Sequence, residues 1–124
     1  MNLNLQVLDG EFSVCKLENG LTGDLPGDFL FYAKTDEEFS LVCPSECVPA
    51  NAQKTQPEWR ALRIAGELDF SLTGVIAGLA GILAERQIPV FVVSTYNTDY
   101  LLVNKHNLET ACQAFSAAGH HILR

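Results

Sequence analysis

The sequence predicts an α+β fold, with the β-α-β-β-α-β order of a ferredoxin-like domain in the second half of the chain. Two observations carry this prediction. Between Trp59 and Val103 the hydrophobic period changes from that of a strand to that of a helix and back again. A second helical pattern and a short terminal strand follow, which completes the ferredoxin-like order of elements.

The first strand and the first helix of this unit have clear boundaries. Residues alternate between two faces over Trp59–Ala65, and Gly66 ends the strand. Apolar residues then recur at helical spacing from Leu72 to Arg86. The other side of this helix carries glycine and alanine, although each interior glycine costs about 1 kcal/mol relative to alanine. We therefore expect that side to be a second contact face, made with the rest of the chain or with a partner.

The remaining elements follow from apolar runs and turn residues. A continuous apolar run after Pro89 is typical of a buried strand, and Asn107 and Gly119 are typical residues for the start and end of a helix. The predicted elements are a strand at Val90–Ser94, a turn at Tyr96–Asp99, a strand at Tyr100–Val103, a helix from Asn107 to Gly119 and a strand at His121–Arg124.

The first half of the chain resembles a degenerate copy of the second. Phe31–Thr35 aligns with Phe91–Thr95, and Leu41–Cys43 aligns with Leu101–Val103, so that one constant offset relates both pairs of segments. Phe12–Leu17 supplies the first strand of this copy. About a dozen residues then remain before Phe29, which is too few for a helix and its loops. We expect the first helix of the copy to be reduced to a turn.

These patterns divide the chain into a degenerate half, residues 1–56, and a complete domain, residues 57–124. Within the first half, the alternation in Met1–Leu8 indicates an extra edge strand. The polar, proline-bounded segment Asn51–Pro57 is the best candidate for a linker.

Polar residues and glycine fill the loop between the first strand and the first helix of the second half. A strand that leads into a helix N-terminus presents unpaired N–H groups and the positive end of the helix dipole, which suit a carboxylate. The simpler interpretation is that Asp69, Ser71 or Thr73 caps the helix and that nothing binds there. Capping explains one of these polar side chains. Likewise Phe70 can fill core, Ser94 and Thr95 can be residues at a strand end with no role in binding, and Asp99 can be an ordinary turn residue.

The residues Leu68–Gly74, the helix after them and Ser94–Tyr100 resemble ACT domains, in the tandem-ACT branch that includes bacterial proteins and animal arginine sensors. The resemblance implies a regulatory module that binds an amino acid or another small ligand where its first loop meets a neighbouring domain. Gly74 takes the place of the loop glycine of ACT domains, Ser71 stands where many carry aspartate, and Thr73 stands where proline is frequent. The resemblance implies ligand contacts from Asp69, Phe70, Ser71, Leu72, Thr73, Gly74, Ser94, Thr95 and Asp99.

The resemblance also makes arginine a candidate ligand. In the arginine sensors an aspartate at the place of Asp99 contacts the guanidinium group. A helix N-terminus at one end and a carboxylate at the other suit a zwitterion with an extended polar tail.

Composition narrows the classes of partner. The chain has 124 residues, 48% of them hydrophobic, and a net charge of −7, which argues against binding to nucleic-acid phosphates. No apolar run approaches the 18 or so residues of a membrane span, and the start of the chain lacks the features of a signal peptide. We expect a cytoplasmic protein with no membrane partner.

The cysteines and histidines of the chain give little support to a metal site or to catalysis. Cys43 and Cys47 are spaced as C-x3-C, but no second pair or closely spaced histidines complete a metal site. His120 and His121 are adjacent and would point to opposite faces of a strand. A small enzyme that uses Cys43 or a histidine is the competing hypothesis, but no nucleophile is paired with a base. We expect no metal, no cofactor and no catalysis.

The sequence therefore predicts a regulatory module that binds a small molecule, with an amino acid favoured, and that forms a homo-oligomer or binds a protein partner. The alternative is an oligomerisation or interaction module of the same type that retains no ligand.

Overall fold

The computed structural model describes residues 2–24, 27–66, 68 and 72–124 of the chain. The strands are β1 (Asn4–Val7), β2 (Phe12–Leu17), β3 (Phe31–Lys34), β4 (Phe39–Pro44), β5 (Ala52–Ile64), β6 (Phe91–Ser94), β7 (Asp99–Asn104) and β8 (His121–Leu123). The helices are α1 (Val75–Glu85) and α2 (Leu108–Ala117), and short 3-10 turns lie at Ser45–Cys47 and Lys105–Asn107. Neither α-helix in this described part of the chain has the length and apolar character that crossing a bilayer requires.

The chain divides into two compact units. One unit comprises residues 10–59, and the other comprises residues 1–9 together with 60–124. Strand β5 contributes its first eight residues to the former and its last five to the latter. The predicted division instead placed residues 1–9 in the first half of the chain.

The unit of residues 1–9 and 60–124 has the predicted β-α-β-β-α-β order, formed by β5, α1, β6, β7, α2 and β8. Its strands lie side by side in the order β8-β1-β5-β7-β6. The core contains apolar residues of β1, β5 and β7 packed with residues of both helices, among them Leu62, Leu79, Leu101 and Phe115. The α+β, ferredoxin-like prediction is confirmed.

The first strand of the chain lies inside this sheet and not at an edge. Strand β1 pairs antiparallel with β5, where Leu5 lies opposite Ile64, and parallel with β8, where Leu5 lies opposite Ile122. Leu5 is fully buried, and its side chain belongs to the core that packs against both helices. The edge-strand prediction was wrong, since alternation reports which face of a strand is buried and not how many strands flank it.

The unit of residues 10–59 is a sheet in the order β3-β4-β2-β5. Its small core contains Cys15, Leu17, Leu41 and Cys43. Within its described residues, 10–24 and 27–59, the only helical segment is the 3-10 turn that follows β4. The expected reduction of the first helix agrees with the described part of this segment.

The internal repeat is visible in the hydrogen-bond register. In the first hairpin Phe31 pairs with Val42 and Lys34 pairs with Phe39. In the second hairpin Phe91 pairs with Leu102 and Ser94 pairs with Asp99, which is the same register moved along the chain by the offset from Phe31 to Phe91. The 3-10 turns that follow the two hairpins, Ser45–Cys47 and Lys105–Asn107, are related by the same offset. The alignment that the sequence predicted therefore describes both hairpins.

All but the first residue of the predicted linker Asn51–Pro57 belongs to strand β5, which begins at Ala52. Pro57 is accommodated because the register between β2 and β5 shifts beside it, and Glu58 adopts φ of 73° there. Proline is tolerated in a strand at such a bulge. The linker prediction was wrong because an exposed polar strand has no hydrophobic alternation to reveal it.

Helix α1 is shorter than predicted, and the side that carries Gly78 and Gly81, its glycine side, is open. Gly74 precedes the helix with φ of 79°, and the helix ends at Glu85. A Cβ atom placed on Gly78 or Gly81 would meet no atom within 4 Å among the described residues. The described part of the chain does not cover this side. Of the two contacts that the sequence predicted, with the rest of the chain or with a partner, the contact with a partner remains.

The cap predicted for the second helix is also displaced. Asn107 makes no capping hydrogen bond with its side chain. Asn104 instead accepts a hydrogen bond from the backbone N–H of His106 at 3.1 Å and starts the 3-10 turn that leads into α2. The helix begins at Leu108, which agrees with the predicted position.

Candidate functional site

A cavity lies between the β6–β7 turn and the start of α1. Its volume is about 160 Å³. Sites for drug-sized ligands are typically about 300–1,000 Å³, so this cavity suits part of a small ligand and not a nucleotide. Its described lining consists of the apolar residues Leu68, Leu72 and Val75 and the turn residues Thr95, Tyr96, Asn97, Thr98 and Asp99.

The β6–β7 turn is closed by its own hydrogen bonds. The backbone N–H of Thr95 donates to the carbonyl of Thr98 at 2.8 Å, and the Thr95 hydroxyl donates to the same oxygen at 3.1 Å. The carbonyl of Asn97 accepts the N–H of Leu68 at 2.8 Å, which joins this turn to the segment that precedes α1. These three hydrogen bonds fix the conformation of the turn and attach it to the segment before α1.

Asp99 brings the negative charge to this cavity. It is half-buried, it is the first residue of β7, and one of its carboxylate oxygens accepts the Ser94 hydroxyl at 2.5 Å. The bond fixes one carboxylate oxygen, and a carboxylate has further acceptor capacity for a donor in the cavity. An ammonium or guanidinium group is the donor that such a carboxylate binds most strongly.

The start of α1 supplies the opposite polarity. The first backbone hydrogen bond here runs from Gly78 N–H to the Gly74 carbonyl at 2.9 Å. The N–H groups of the preceding helical residues therefore have no acceptor inside the helix. Gly74 is the N-cap and has no side chain to accept from them. Val75, the first helical residue, lines the cavity.

The structure brings together some of the predicted site residues. Leu72, Thr95 and Asp99 line the cavity, and Ser94 is bonded to Asp99. Thr73 is exposed, and Gly74 lines a different cavity. Asp69, Phe70 and Ser71 lie outside the described residues. The cavity is also lined by five residues that were not predicted as ligand contacts: Leu68, Val75, Tyr96, Asn97 and Thr98.

A signal for some of the missed residues was present in the sequence. The polar and aromatic cluster Tyr96–Thr98 lies between two residues that were selected, Thr95 and Asp99. It was assigned to the turn alone. Leu68 and Val75 belong to apolar patterns that also predict core, so spacing does not distinguish their role in a cavity wall.

The equivalent positions in the first half have different chemistry. In the matching register of the first hairpin, Phe39 replaces Asp99 and Lys34 replaces Ser94. Phe39 packs against the small core of its unit. The turn of that hairpin is still closed by Thr35, whose N–H donates to the Glu38 carbonyl at 3.0 Å. The turn geometry is shared by both halves, and the carboxylate is not.

A second cavity, of about 270 Å³, lies between the glycine side of α1 and His120. His120 is half-buried, and its Nδ1 accepts the N–H of Leu3 at 3.0 Å. Burial lowers the pKa of His120 below its usual 6.5. Its ring also meets the Phe115 ring edge-on. These contacts give His120 a role in the structure of the domain.

The thiols are buried and are not arranged for chemistry. Cys15, Cys43 and Cys112 are buried, and Cys47 is half-buried. Burial, with a further contribution from nearby Cys15 and Cys47, raises the pKa of Cys43 to about 12. Within the residues that the structure describes, no group of three or more His, Cys, Asp or Glu side chains is placed to hold a metal ion.

Part of the chain is similar in sequence to known proteins. A stretch of 46 residues, 36% of the chain, is 44% identical to the cytosolic arginine sensor for mTORC1 subunit 1 of Homo sapiens and of Bos taurus. This stretch spans only 14% of the length of those relatives.

Solved structures resemble nearly the whole chain. A crystal structure of a protein from Agrobacterium tumefaciens matches with a TM-score of 0.89 and 28% identity, covering 99% of this chain and 93% of that one. The regulatory subunit of aspartate kinase from Thermus thermophilus matches with a TM-score of 0.60 and 11% identity, covering 92% and 95%. The second likeness concerns the fold alone.

The family match is more specific. A family model described as ACT domain matches residues 54–117. An ACT domain is a regulatory module. That range includes most of β5, together with α1, both strands of the second hairpin and α2, and it contains the cavity with Asp99. Since it covers more than half of the 124 residues, the chain belongs to the ACT domain family.

Proposed function

We propose that this chain is a regulatory module that binds an amino acid with a cationic side chain in the cavity between the β6–β7 turn and the start of α1. One observation carries the proposal: Asp99, which bears a carboxylate, and Val75, the first residue of α1, line the same small cavity. The carboxylate favours a positive group, and the N–H groups at the helix start, which have no acceptor inside the helix, favour a negative one. A free amino acid of this class carries both.

The size and the comparisons support this class of ligand. The cavity volume of about 160 Å³ suits part of an amino acid. The arginine sensor, whose name states its ligand, is 44% identical over 46 residues. We assign the carboxylate to the backbone near Thr73 and Gly74 and the cationic group to Asp99. We extend the site to Asp69, Phe70, Ser71, Leu72, Ser94 and Thr95 as further candidate contacts.

The proposal includes an interface and a location. Leu72 is 46% exposed and Tyr96 is 76% exposed, and both line the cavity. Large apolar side chains in such a position suit cover by another protein surface. We place the ligand at an interface with a second ACT unit, in a homo-oligomer or a complex with a partner. We place the module in the cytoplasm, where its sensor relative is named as cytosolic, and assign it no catalytic activity.

A thermal-shift screen of the purified protein against the common amino acids and nucleobases tests the proposal. A ligand that binds the native state raises the melting temperature, by mass action. We expect arginine or another cationic amino acid to raise it and nucleobases to leave it unchanged. The Asp99→Asn variant keeps the shape of the side chain and removes its charge, and we expect it to lose the shift.

Asp36→Asn is the matched control, because Asp36 is an exposed carboxylate in the turn of the first hairpin. It should retain the full shift. The proposal is wrong if no amino acid raises the melting temperature, or if the Asp99 and Asp36 variants respond alike to the cationic ligand.

The second candidate is an interaction module that retains no ligand. The exposed Leu72 and Tyr96, together with the open glycine side of α1, favour it. In that case the Tyr96→Ser variant would lower the mass measured by sedimentation, and the amino-acid screen would be negative for the parent protein.

A further inference from the structure

Thr98 is a buried polar residue in the wall of the proposed site. Its side chain is only 6% exposed, and among the described residues it shares the combination of burial and a polar side chain with Ser13. Its hydroxyl donates to the carbonyl of Ile64, the last residue of β5, at 2.8 Å. This hydrogen bond attaches the turn specifically to β5, because a buried hydroxyl without an acceptor would cost free energy.

The attachment holds a turn that is closed at the same residue. The carbonyl of Thr98 accepts both the N–H and the hydroxyl of Thr95, so that its side chain faces β5 while its backbone closes the turn. The next residue is Asp99. The position of the Asp99 carboxylate therefore depends on a backbone that is fixed from both sides at Thr98.

We infer that Thr98 is the positioning residue of this site: its hydroxyl fixes the turn to the end of β5 and thereby sets the Asp99 carboxylate where it distinguishes a cationic from a neutral ligand. This inference rests on the proposed function. A carboxylate held in place before binding gives selectivity for charge, because the energy of its interaction with a cation depends on the distance between them. It also need not be ordered when the ligand binds, which would weaken the affinity.

The first half of the chain shows which part of the arrangement is particular to this site. Its turn is closed in the same way by Thr35 and the carbonyl of Glu38. The residue equivalent to Thr98 is Glu38, which is exposed, and the residue equivalent to Asp99 is Phe39. Closure of the turn is common to both hairpins, whereas the buried hydroxyl and the carboxylate occur together in the second.

The test compares Thr98→Val and Thr98→Ser by calorimetric titration with L-arginine and with L-citrulline, which is the neutral counterpart of arginine. Valine keeps the volume and removes the hydroxyl, and serine keeps the hydroxyl. We expect Thr98→Val to weaken arginine binding about tenfold, as for one lost hydrogen bond, with little change for citrulline. We expect Thr98→Ser to stay within about threefold of the parent.

Ser13→Ala is the control for stability, because it removes the other buried hydroxyl, which is bonded to the Ser45 hydroxyl at 2.8 Å. It should lower the melting temperature and leave the ratio of arginine to citrulline affinity unchanged. If Thr98→Val does not fold, Thr98→Ala against Thr98→Ser gives the same comparison.

The outcomes separate the two proposals. A parent protein that binds neither ligand, or binds both equally, overturns the proposed function and with it this inference. A parent that prefers arginine, with a hydroxyl-free variant of Thr98 that keeps the same preference, overturns the inference alone.

Discussion

At the scale of single residues, burial determines which groups remain reactive. Cys43 is fully buried beside Cys15, and its pKa is raised to about 12, largely by desolvation. At neutral pH it is therefore a thiol, and the thiolate is the reactive form of cysteine. Cys112 is also buried, with a raised pKa. This argues against Cys43 as the activated nucleophile of an enzyme.

We predict that iodoacetamide labels Cys43 of the native protein much more slowly than Cys47, which is half-buried. Mass spectrometry of digested samples, labelled near pH 8 over time, measures both rates. In denaturant all four cysteines should react at similar rates, which is the control. Labelling of native Cys43 as fast as that of Cys47 would show that its thiolate is accessible.

His120 gives a prediction about pH. Its Nδ1 accepts the Leu3 N–H, and burial lowers its pKa below 6.5, so the folded state favours the neutral ring. Below pH 6.5 the unfolded chain takes up this proton more readily than the folded one, so stability falls as pH decreases. We predict that the melting temperature drops more between pH 7.5 and 5.5 in the parent than in His120→Asn. Equal drops would exclude His120 as a source of the pH dependence.

At the scale of elements, α1 contains two kinds of glycine. Gly74, at the N-cap, has φ of 79°, a conformation that alanine adopts only with strain. Gly81 lies inside the helix, and a Cβ atom there would meet nothing within 4 Å. The first glycine is required by the backbone, and the second is not required by any contact in the described part of the chain.

We predict opposite effects from the same substitution at these two positions. Gly81→Ala should raise the free energy of unfolding by about 0.5–1 kcal/mol, because alanine loses less backbone entropy in a helix. Gly74→Ala should lower it by about 1 kcal/mol. Urea denaturation measures both. Destabilisation by Gly81→Ala would indicate that this side of the helix is already packed, as it would be against a second copy.

The elements differed in how much the sequence revealed. The second half was predicted in the right order because its buried strands and amphipathic helices have clear periods, and the repeat was predicted because both hairpins keep the same spacing. Strand β5 was missed at its start because residues 53–57 are exposed, mostly polar and include a proline at a bulge. The pairing of β1 between β5 and β8 depends on long-range register, which the local pattern of Leu3, Leu5 and Val7 does not encode.

The candidate site was predicted only in part for a related reason. Thr95 and Asp99 were selected by the ACT resemblance, and the cavity contains both. The role of Thr98 comes from a bond to Ile64, 34 residues earlier in the chain, and no local pattern of sequence indicates such a bond.

At the scale of the whole molecule, the chain contains two hairpins that share one register but differ in the side chains at their ends. The second hairpin has Ser94 and Asp99 at its end, and the first has Lys34 and Phe39 in the same register. We predict one ligand per chain, because the first hairpin offers no carboxylate at the matching position. Calorimetric titration gives this number directly. A value of two ligands per chain would mean that the first half also binds.

The central claim is that Asp99 recognises the cationic group of an amino acid. The most direct measurement is a cycle of four titrations, in which the parent and Asp99→Asn each bind L-arginine and L-citrulline. We predict that the substitution weakens arginine binding by about 1.5–3 kcal/mol more than citrulline binding, which is the range for a hydrogen bond to a charged group. Equal losses for both ligands, or no loss for arginine, would contradict the claim.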